Sequence, residues 1–386
     1  MPERFDVIVA GVGGMGSAAA YHLARRGQRV LGLERYTIPN EMGSSHGVSR
    51  IIRLAYFEHP SYVPLLRRSF ELWRELEGEA NLGPLLHMTG CLHLGAPGTT
   101  VFEGCLRSCH EHDLQHEVLS SAEVSRRFPA YRLPAETMAV LEAEGGFLVP
   151  EKCIEAHAAG ARAAGADLRE GEAVLGWEPT ADGVRVRTER GEYEAERLVL
   201  TAGSWNGKLA SAFAPVLQPE RQVLAWLQVS RPELFAQGAF PVFVMEVPEG
   251  MYYGFPLFAE GPPGFKVGRL HHLRETVDPD QLDRAGAGPA DEALLRDFAA
   301  KYLPEGAGPA QALKVCMFTN TPDEHFLIDR HPELPQVVLA AGFSGHGFKF
   351  CSVVGEVLAD LALDGRTRHG IGLFSATRFQ RQLTAR

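Results

Sequence analysis

The spacing of apolar residues in the first 34 positions predicts a strand, a helix and a second strand. Residues 5–10 (FDVIVA) form an apolar run of strand length, SAAAYHLARRG follows with a helical period, and RVLGLE is a second apolar run. Two short apolar runs joined by a helical segment are typical of a βαβ unit with parallel strands. The chain is therefore expected to open with an α/β arrangement.

Similar segments recur later in the chain, separated by a β-rich stretch. Residues 61–77 predict an amphipathic helix, and residues 145–174 predict a turn, a helix and a strand. Hairpin-like strands follow over residues 183–203. From residue 216 to 313 the pattern is mostly strand-like and is interrupted by Pro and Gly. A buried strand at 336–342 and a helix (CSVVGEVLADLALDG) close the pattern.

These segments predict a two-domain α/β (α+β) fold. We assign a Rossmann-like cofactor-binding domain to residues 1–83, 147–215 and 320–386, and a β-sheet-rich substrate domain to residues 84–146 and 216–319. Because NAD enzymes tend to keep their Rossmann half contiguous, a discontinuous cofactor domain favours FAD.

A glycine motif between the first strand and the first helix predicts a dinucleotide site. The motif is Gly11-x-Gly13-x-x-Gly16, and Glu34 ends the second strand about 20 residues later. Gly11 permits a tight turn, Gly13 lets the backbone approach a pyrophosphate, and Gly16 allows the helix to pack closely on the strand. The helix N-terminus then faces the phosphates, and Glu34 can accept a hydrogen bond from a ribose hydroxyl.

Composition narrows the class of protein. The 386 residues carry a net charge of −10, which argues against a general nucleic-acid surface. The N-terminal segment lacks the basic region of a signal peptide, and no stretch approaches the roughly 18 apolar residues of a membrane span, so we expect a cytoplasmic protein without a membrane partner. Cys105, Cys109, His110 and His112 cluster in sequence but lack a second ligand pair, and we expect no metal site.

Several longer motifs carry a family resemblance that covers nearly the whole chain. They are GVGGMGS, SSHGVSRIIRLAY, MYYGFP, GFKVG, KVCMFTNTPDEHFLID and GFSGHGFKF. The chain resembles the monomeric sarcosine oxidase family, whose relatives include N-methyltryptophan oxidase and pipecolate oxidase. The resemblance implies a monomeric enzyme with a p-hydroxybenzoate-hydroxylase-like FAD fold. It also implies oxidation of a secondary-amine amino acid to an imine, which hydrolyses, while O₂ is reduced to hydrogen peroxide.

The resemblance implies roles for individual residues. Cys316 matches the cysteine that holds the flavin covalently, and Lys266 matches the lysine that activates oxygen. Arg53 matches an active-site arginine of the family, Lys349 matches a lysine near the flavin, and both suit a substrate carboxylate. Tyr253 matches a substrate-site tyrosine. The remaining residues assigned to the cofactor are Gly14, Arg35, Ser45, His46, Ser49, Arg50, Gly345, His346, Gly347 and Phe348.

Two features of the motifs leave undecided which histidine lies at the site and which amine is the substrate. The family places a histidine shortly after Lys266, and the spacing here does not decide between His271 and His272. Phe318 stands where family members often carry Tyr, which puts sarcosine in particular in question as the substrate.

Other functions share the same motifs. An FAD-dependent amino-acid dehydrogenase would pass electrons to a quinone or a protein, and an N-methyltryptophan or pipecolate oxidase would act on a larger amine. A nicotinamide enzyme or a non-catalytic nucleotide-binding protein would use the glycine motif alone. A non-catalytic nucleotide-binding protein, however, does not need Arg53, Lys266 and Lys349 together. For Cys316 the alternative is a buried free thiol, and for Lys266 a strand lysine that faces solvent.

Overall fold

The computed structural model describes residues 2–383. Its strands are β1 Glu3–Ala10, β2 Val30–Leu33, β3 Arg50–Ile52, β4 Leu86–Met88, β5 Cys91–Gly95, β6 Glu117–Ser120, β7 Met138–Glu142, β8 Gly146–Leu148, β9 Asp167–Arg169, β10 Val174–Thr180, β11 Gly183–Thr188, β12 Glu192–Leu200, β13 Gln218–Leu227, β14 Val242–Val247, β15 Gly250–Phe255, β16 Phe265–Arg269, β17 Ala310–Asn320, β18 Leu327–Arg330 and β19 Val337–Ala341.

Its α-helices are α1 Gly14–Arg25, α2 Val63–Glu79, α3 Thr100–Glu111, α4 Ser121–Arg127, α5 Pro150–Ala163, α6 Asn206–Leu209, α7 Pro289–Tyr302, α8 Cys351–Asp364 and α9 Gln380–Leu383. Short 3-10 helices span Pro60–Tyr62, Gly203–Trp205, Ser211–Val216, Pro232–Phe235, Pro304–Gly306, Phe348–Phe350, Gly372–Phe374 and Ala376–Phe379. Across the described part of the chain, every helix is too short or too polar to span a lipid bilayer.

The first of two eight-stranded sheets contains the parallel strands that the opening motif predicts. Its order is β10-β11-β12-β1-β2-β9, with β19 beside β12 and β18 beside β19. β1 runs parallel to β2 and β12, and β12 runs parallel to β19. The predicted βαβ unit is therefore confirmed, as is the β11–β12 hairpin. Parallel strands end at one edge of the sheet, so the residues that follow them meet there.

Helices cover the parallel sheet and supply much of the core. α1 packs against α5 and α8, and α2 packs against α8. The predicted apolar face of α2 is confirmed, because Val63, Leu66, Phe70 and Trp73 are all buried. α8 is followed by Gly365, which caps it with a φ of 69°, in the left-handed region that glycine adopts without strain.

The second eight-stranded sheet has the order β17-β13-β16-β15-β14-β5-β7-β6. Its strand pairs are antiparallel except for β14 and β5. Since side chains alternate between the two faces of a strand, Ala225, Tyr252 and Val267 pack in the core on one face while their neighbours point to the opposite face. A third, three-stranded sheet has the order β3-β8-β4.

One helix differs from the sequence prediction. The segment 216–313 was expected to be mostly strand-like, yet α7 lies within it. Its start carries Pro289 in the first turn and Asp291 and Glu292 beside the helix N-terminus, all of which favour helix initiation. The helix buries Leu295, Phe298 and Tyr302 against the second sheet.

The two large sheets draw on different parts of the chain. The first sheet uses strands from segments assigned to the cofactor-binding domain, and the second uses strands from segments assigned to the substrate domain, with β17 ending one residue past residue 319. The division into two domains at those boundaries stays a prediction.

Candidate active site

A cavity of about 890 Å³ lies where the two large sheets meet. The first sheet lines it with Gly11, Glu34, Thr201 and Gly342, which follow the carboxyl ends of parallel strands. The second sheet lines it with alternate residues of β13, β15 and β17, namely Gln222, Leu224, Met251, Tyr253, Phe255, Cys316 and Phe318. Cofactor and ligand sites typically occupy roughly 300–1,000 Å³. This cavity is therefore the candidate active site.

The glycine motif forms a close turn at the edge of the cavity. Gly11 has a φ of 90°, and a Cβ there would lie 2.7 Å from the Cα of Ala202. A Cβ on Gly16 would lie 1.8 Å from the carbonyl oxygen of Gly11, so only glycine lets α1 pack this closely on β1. At Gly13, by contrast, a Cβ would meet nothing within 4 Å. The space before the N-terminus of α1 is thus open to a phosphate, and Gly13 and Gly14 line it.

Glu34 lies at the end of β2 and lines the cavity with a buried carboxylate. Its Oε2 accepts a hydrogen bond from the N–H of Val12 at 2.9 Å, and its Oε1 accepts one from the N–H of Tyr36 at 3.0 Å. Burial raises the pKa of Glu34 although these hydrogen bonds oppose the shift. The side chain is held beside the glycine turn, where a ribose hydroxyl would need an acceptor.

Arg35 lines the same part of the cavity but is bound to another side chain. Its Nη1 lies 2.6 Å from Oδ1 of Asp280, in the segment between β16 and α7. Asp280 also accepts hydrogen bonds from Nε1 of Trp205 at 2.8 Å and from Nζ of Lys208 at 2.5 Å. We call these four residues the Asp280 cluster; it joins a segment beyond the second sheet to the edge of the first.

Cys316 meets the segment that precedes β3. It lies in β17, is 1% exposed and lines the cavity. Its Sγ lies 3.8 Å from the carbonyl oxygen of Ser44, which also accepts a hydrogen bond from Nη2 of Arg50 at 2.9 Å. Ser45 and Arg50 line the cavity beside it. Cys316 therefore joins the second sheet to the 44–50 segment at the cavity lining.

Three predicted residues form a layer behind the described lining of the cavity. Nζ of Lys266 donates to the carbonyl oxygens of Gly47 and Ser49 at 2.7 Å each and to Oγ of Ser49 at 3.0 Å. Burial, reinforced by Arg50, holds the pKa of Lys266 well below its usual range. Both ring nitrogens of His46 are buried without a partner among the described residues, and burial lowers its pKa to about 3. Lys266 thus fixes the 47–49 backbone, and Lys266, Ser49 and His46 are all buried outside the described lining.

Arg53 lines the cavity although it is only 3% exposed. Its Nη2 donates to both oxygens of Glu58 at 2.7 and 2.8 Å, and its Nη1 donates to the carbonyl oxygen of Ala55 at 2.8 Å. The rings of Tyr56 and Phe57 lie 4.2 and 4.4 Å from the guanidinium carbon. Burial would raise the pKa of Glu58, but the charge of Arg53 holds it below its usual range.

Lys349 lines the cavity near Arg53. Its Nζ donates to the carbonyl oxygen of His346 at 2.7 Å, and the side chain is almost fully buried. Burial, and next the charge of Arg53, lower the pKa of Lys349 to about 7. Nδ1 of His346 lies 2.6 Å from the hydroxyl of Tyr56, which connects Lys349 to the Arg53 segment.

The loop between β19 and α8 passes close to the aromatic rings of the cavity. Gly345 has a φ of 79°, and a Cβ there would lie 2.4 Å from the ring of Phe318. A Cβ on Gly347 would lie 2.5 Å from Phe343. The predicted residues Gly345, His346, Gly347 and Phe348 all line the cavity. Glycine is required here because larger side chains would collide with the ring of Phe318 or Phe343.

The histidine pair lies outside the described lining of the cavity. Nδ1 of His271 lies 3.0 Å from Glu220 and its Nε2 lies 3.1 Å from Glu324, and hydrogen bonds to these carboxylates raise its pKa to about 9. Glu324 lines the cavity, so His271 is one side chain behind it. His272 is fully buried and its Nε2 lies 2.9 Å from Asp291 at the start of α7. Asp291 therefore binds His272 outside the described lining, and which of the two histidines serves the site stays a prediction.

The remaining lining is partly as predicted and partly new. Tyr253 lines the cavity, and burial raises its pKa. Glu58 was not predicted, although the sequence places this acidic residue only five positions after Arg53, where it could have been expected to pair with the guanidinium. The Asp280 cluster was also missed, because its members lie far apart in sequence. The predicted site residues that line the cavity are Gly11, Gly13, Gly14, Glu34, Arg35, Ser45, Arg50, Arg53, Tyr253, Cys316, Gly345, His346, Gly347, Phe348 and Lys349.

These features fit the flavin dinucleotide that the motifs imply. Gly13 leaves open space before a helix N-terminus, Glu34 presents a fixed carboxylate, and Cys316 lines the same cavity. The unpartnered nitrogens of His46 lie in the layer behind that space.

Comparisons with known proteins identify the family. Residues 6–361 match the family described as FAD dependent oxidoreductase. The chain is 42% identical over 382 residues to monomeric sarcosine oxidase of Bacillus sp. (strain NS-129), covering 98% of each protein. It is 34% identical over 378 residues to N-methyl-L-tryptophan oxidase of Escherichia coli (strain K12), covering 98% of this chain and 100% of that protein. A solved structure of the open form of NikD, an unusual amino acid oxidase essential for nikkomycin biosynthesis, matches 97% of each chain with 27% identity and a TM-score of 0.82. The chain belongs to the family of FAD-dependent oxidoreductases.

Proposed function

We propose that the protein is an oxidase of small secondary-amine amino acids, such as N-methyl amino acids, with FAD held covalently at Cys316. For an N-methyl amino acid, substrate, O₂ and water would give the primary amino acid, formaldehyde and hydrogen peroxide. The observation that carries the proposal is the pair of buried cations, Arg53 and Lys349, in the cavity that Cys316 also lines. The relatives named above act on N-methyl amino acids, as their names state.

Arg53 is suited to hold the substrate carboxylate. A guanidinium has five N–H donors, and the hydrogen bonds to Ala55 and Glu58 use about three of them. A substrate carboxylate can take the remaining donors or compete with Glu58. Phe57, Val244 and Met251 line the cavity with apolar surface, so a carboxylate there has few partners other than the two cations.

The same cations favour the neutral form of the substrate amine. An ammonium group beside Arg53 and protonated Lys349 would be repelled, whereas a free amine would not. The neutral amine carries the lone pair that assists removal of a hydride equivalent from the adjacent carbon. FAD, when bound, supplies the acceptor for two electrons and later transfers them to O₂.

Two further residues are assigned roles, one toward the cofactor and one toward oxygen. Cys316 would hold the cofactor through a thioether, which keeps it in place through repeated turnover. The S–C bond would replace the S–H bond and one C–H bond of the cofactor, and the two electrons and two protons released would pass to the flavin ring and then to O₂. Lys266 is a buried amine behind the lining, with its Nζ on the 47–49 backbone, and we assign its N–H groups to the stabilisation of negative charge that develops on oxygen.

An anaerobic titration tests the reaction. The purified holoenzyme would be titrated with sarcosine, N-methyltryptophan and pipecolate in turn while the visible absorbance of the flavin is followed. Bleaching by one of them supports amine oxidation and names the substrate class. A flavin that none of them bleaches would refute oxidation of these amines.

Two controls sharpen this test. Arg53→Met is expected to raise KM far more than Arg74→Met, which removes an exposed arginine of α2. Under air, hydrogen peroxide should form in a one-to-one ratio with consumed amine. Substrate oxidation without peroxide would instead indicate a dehydrogenase with a quinone or protein acceptor. The expected monomer and the expected cytoplasmic location stay predictions.

A further inference from the structure

A pair of buried polar side chains lies behind the segment that carries Arg53. Glu142 ends β7 and is 2% exposed, and His93 lies in β5 and is fully buried. Nε2 of His93 lies 2.9 Å from Oε1 of Glu142. Nδ1 of His93 has no hydrogen-bond partner among the described residues. Because an unpaired polar atom in a core is destabilising, stability alone does not account for His93 at this position.

A metal ion does not account for the pair either. Cys91, His93 and Glu142 place ligand-type atoms within 4.8 Å of one another. Glu142, however, already accepts hydrogen bonds from His93 and from the N–H groups of Leu54 and Ala55. Burial holds the pKa of Cys91 well above its usual value, whereas metals bind the thiolate. Hydrogen bonding therefore explains the geometry of the cluster.

These hydrogen bonds lead directly to Arg53. Oε2 of Glu142 accepts from the N–H groups of Leu54 and Ala55, at 2.9 Å each. The carbonyl oxygen of Ala55 in turn accepts from Nη1 of Arg53 at 2.8 Å. Sγ of Cys105, in α3, lies 3.4 Å from the same carbonyl oxygen. Glu142 thus fixes the direction in which the chain leaves Arg53 and, through Ala55, one acceptor of the guanidinium.

His93 completes this arrangement by fixing Glu142. Burial would raise the pKa of Glu142, but the hydrogen bond from His93 and those from the backbone hold it below its usual range. Burial also lowers the pKa of His93, and Nε2, its one ring nitrogen with a partner among the described residues, donates to the carboxylate. In the second sheet His93 is paired with Val244, which lines the cavity. His93 therefore neighbours a residue of the cavity lining, and Glu142 binds the segment that follows Arg53.

We propose that Glu142 and His93 are positioning residues that set the orientation of Arg53 and, through it, the affinity of the site for the substrate carboxylate. The inference rests on the proposed role of Arg53 as the carboxylate partner. Glutamine at position 142 has the same size as glutamate, but its amide nitrogen cannot accept the hydrogen bonds that one carboxylate oxygen accepts. Arg53 should then occupy several orientations, and the site should lose affinity for carboxylates.

Ligand binding to the holoenzyme tests this without turnover. Methoxyacetate has the shape of N-methylglycine with an ether oxygen in place of the amine, and methoxyacetamide is its uncharged counterpart. Changes in the visible absorbance of the flavin report the Kd of each. Glu142→Gln is expected to raise the Kd of methoxyacetate roughly tenfold or more and to leave that of methoxyacetamide unchanged. An unchanged Kd for methoxyacetate in this variant would overturn the proposal.

Two further variants keep the test decisive if Glu142→Gln does not fold. His93→Val removes the donor to Glu142 and should also weaken methoxyacetate binding, whereas His93→Gln keeps a donor and should restore it. Leu92→Ala is the matched control, because Leu92 is buried in the same strand but on the opposite face. It should lower the melting temperature without changing either Kd. Equal weakening by Leu92→Ala and His93→Val would refute a specific role for the pair.

The proposed function fails in a different way. If Arg53→Met leaves the Kd of methoxyacetate unchanged, Arg53 is not the carboxylate partner. If Arg53→Met weakens binding but Glu142→Gln and His93→Val do not, the proposed function survives and the positioning role is refuted.

Discussion

The protonation of Lys349 should control how tightly the site binds carboxylates. Burial and the nearby charge of Arg53 lower the pKa of Lys349 to about 7. Below that pH the side chain is charged and attracts a carboxylate, and as the pH rises through about 7 this attraction is lost. If binding requires the charged form, the apparent Kd of methoxyacetate should increase roughly tenfold between about pH 6 and pH 8. The reason is that the charged fraction of Lys349 falls from about nine-tenths to about one-tenth over this range.

The groups around Lys349 should not titrate in the same range. Burial lowers the pKa of His346 to about 4, and Arg53 holds the pKa of Glu58 below its usual value. Burial raises the pKa of Cys351 above its usual value. Arg53 stays charged, since the carboxylate of Glu58 raises its pKa against the effect of burial. The pH dependence should therefore report Lys349.

The assay is a titration of the holoenzyme with methoxyacetate at a series of pH values, followed by flavin absorbance. Lys349→Met should bind weakly and with little pH dependence. Lys349→Arg keeps a permanent charge and should bind without a midpoint near pH 7. Above the midpoint, wild-type protein should also take up about one proton per ligand bound, measurable by calorimetry in buffers of different ionisation enthalpy. A wild-type Kd that is constant across this range, or the same midpoint in Lys349→Met, would refute the reasoning.

Four further predictions concern the cofactor and the glycine turn that would hold it. Cys316→Ala should yield flavin that acid precipitation releases, and flavin still bound covalently would rule out this attachment site. Lys266→Met should slow reoxidation of the flavin by O₂ in stopped-flow measurements while anaerobic reduction stays near the wild-type rate; the reverse pattern would contradict its assigned role. Gly13→Ala should keep the melting temperature of the apoprotein, since nothing lies within 4 Å of the added carbon, but weaken FAD binding roughly tenfold or more. Gly16→Ala should lower that temperature, because its Cβ would lie 1.8 Å from the Gly11 oxygen; equal stability of the two variants would contradict the packing described for the turn.

The cofactor half of the site could be predicted because its signals are local in sequence. Gly11, Gly13 and Gly16 lie close together in sequence: Gly11 and Gly16 have no room for a Cβ, whereas Gly13 leaves the space before α1 open. The position of Glu34 follows from the length of the helix between two parallel strands. Cys316 could be singled out only through the longer motif around it, because a lone buried cysteine carries no signal of its own.

The supporting residues could not be predicted in the same way. Glu142 reaches Ala55 across 87 residues of sequence, and His93 reaches Glu142 only because β5 and β7 pair in a particular register. Asp280 meets Arg35 across 245 residues. The contact of His272 with Asp291 could not be predicted for a related reason, since Asp291 belongs to a helix that the strand-like pattern did not reveal. Such contacts depend on tertiary packing, which sequence periodicity does not encode.

The order of strands in the first sheet has a consequence for the synthesis of the protein. β12 lies between β1 and β19 at the edge that forms the cofactor cavity, and Val337 follows Ala10 by 327 residues. At roughly 5–20 residues per second, about 16 to 65 s separate the appearance of the first strand from that of β19. During this time the edge that holds Gly11 and Glu34 lacks Gly342 and the loop that carries Lys349. The nascent chain should therefore bind FAD only weakly until its last third has been made, so that capture of the cofactor is a late event in folding.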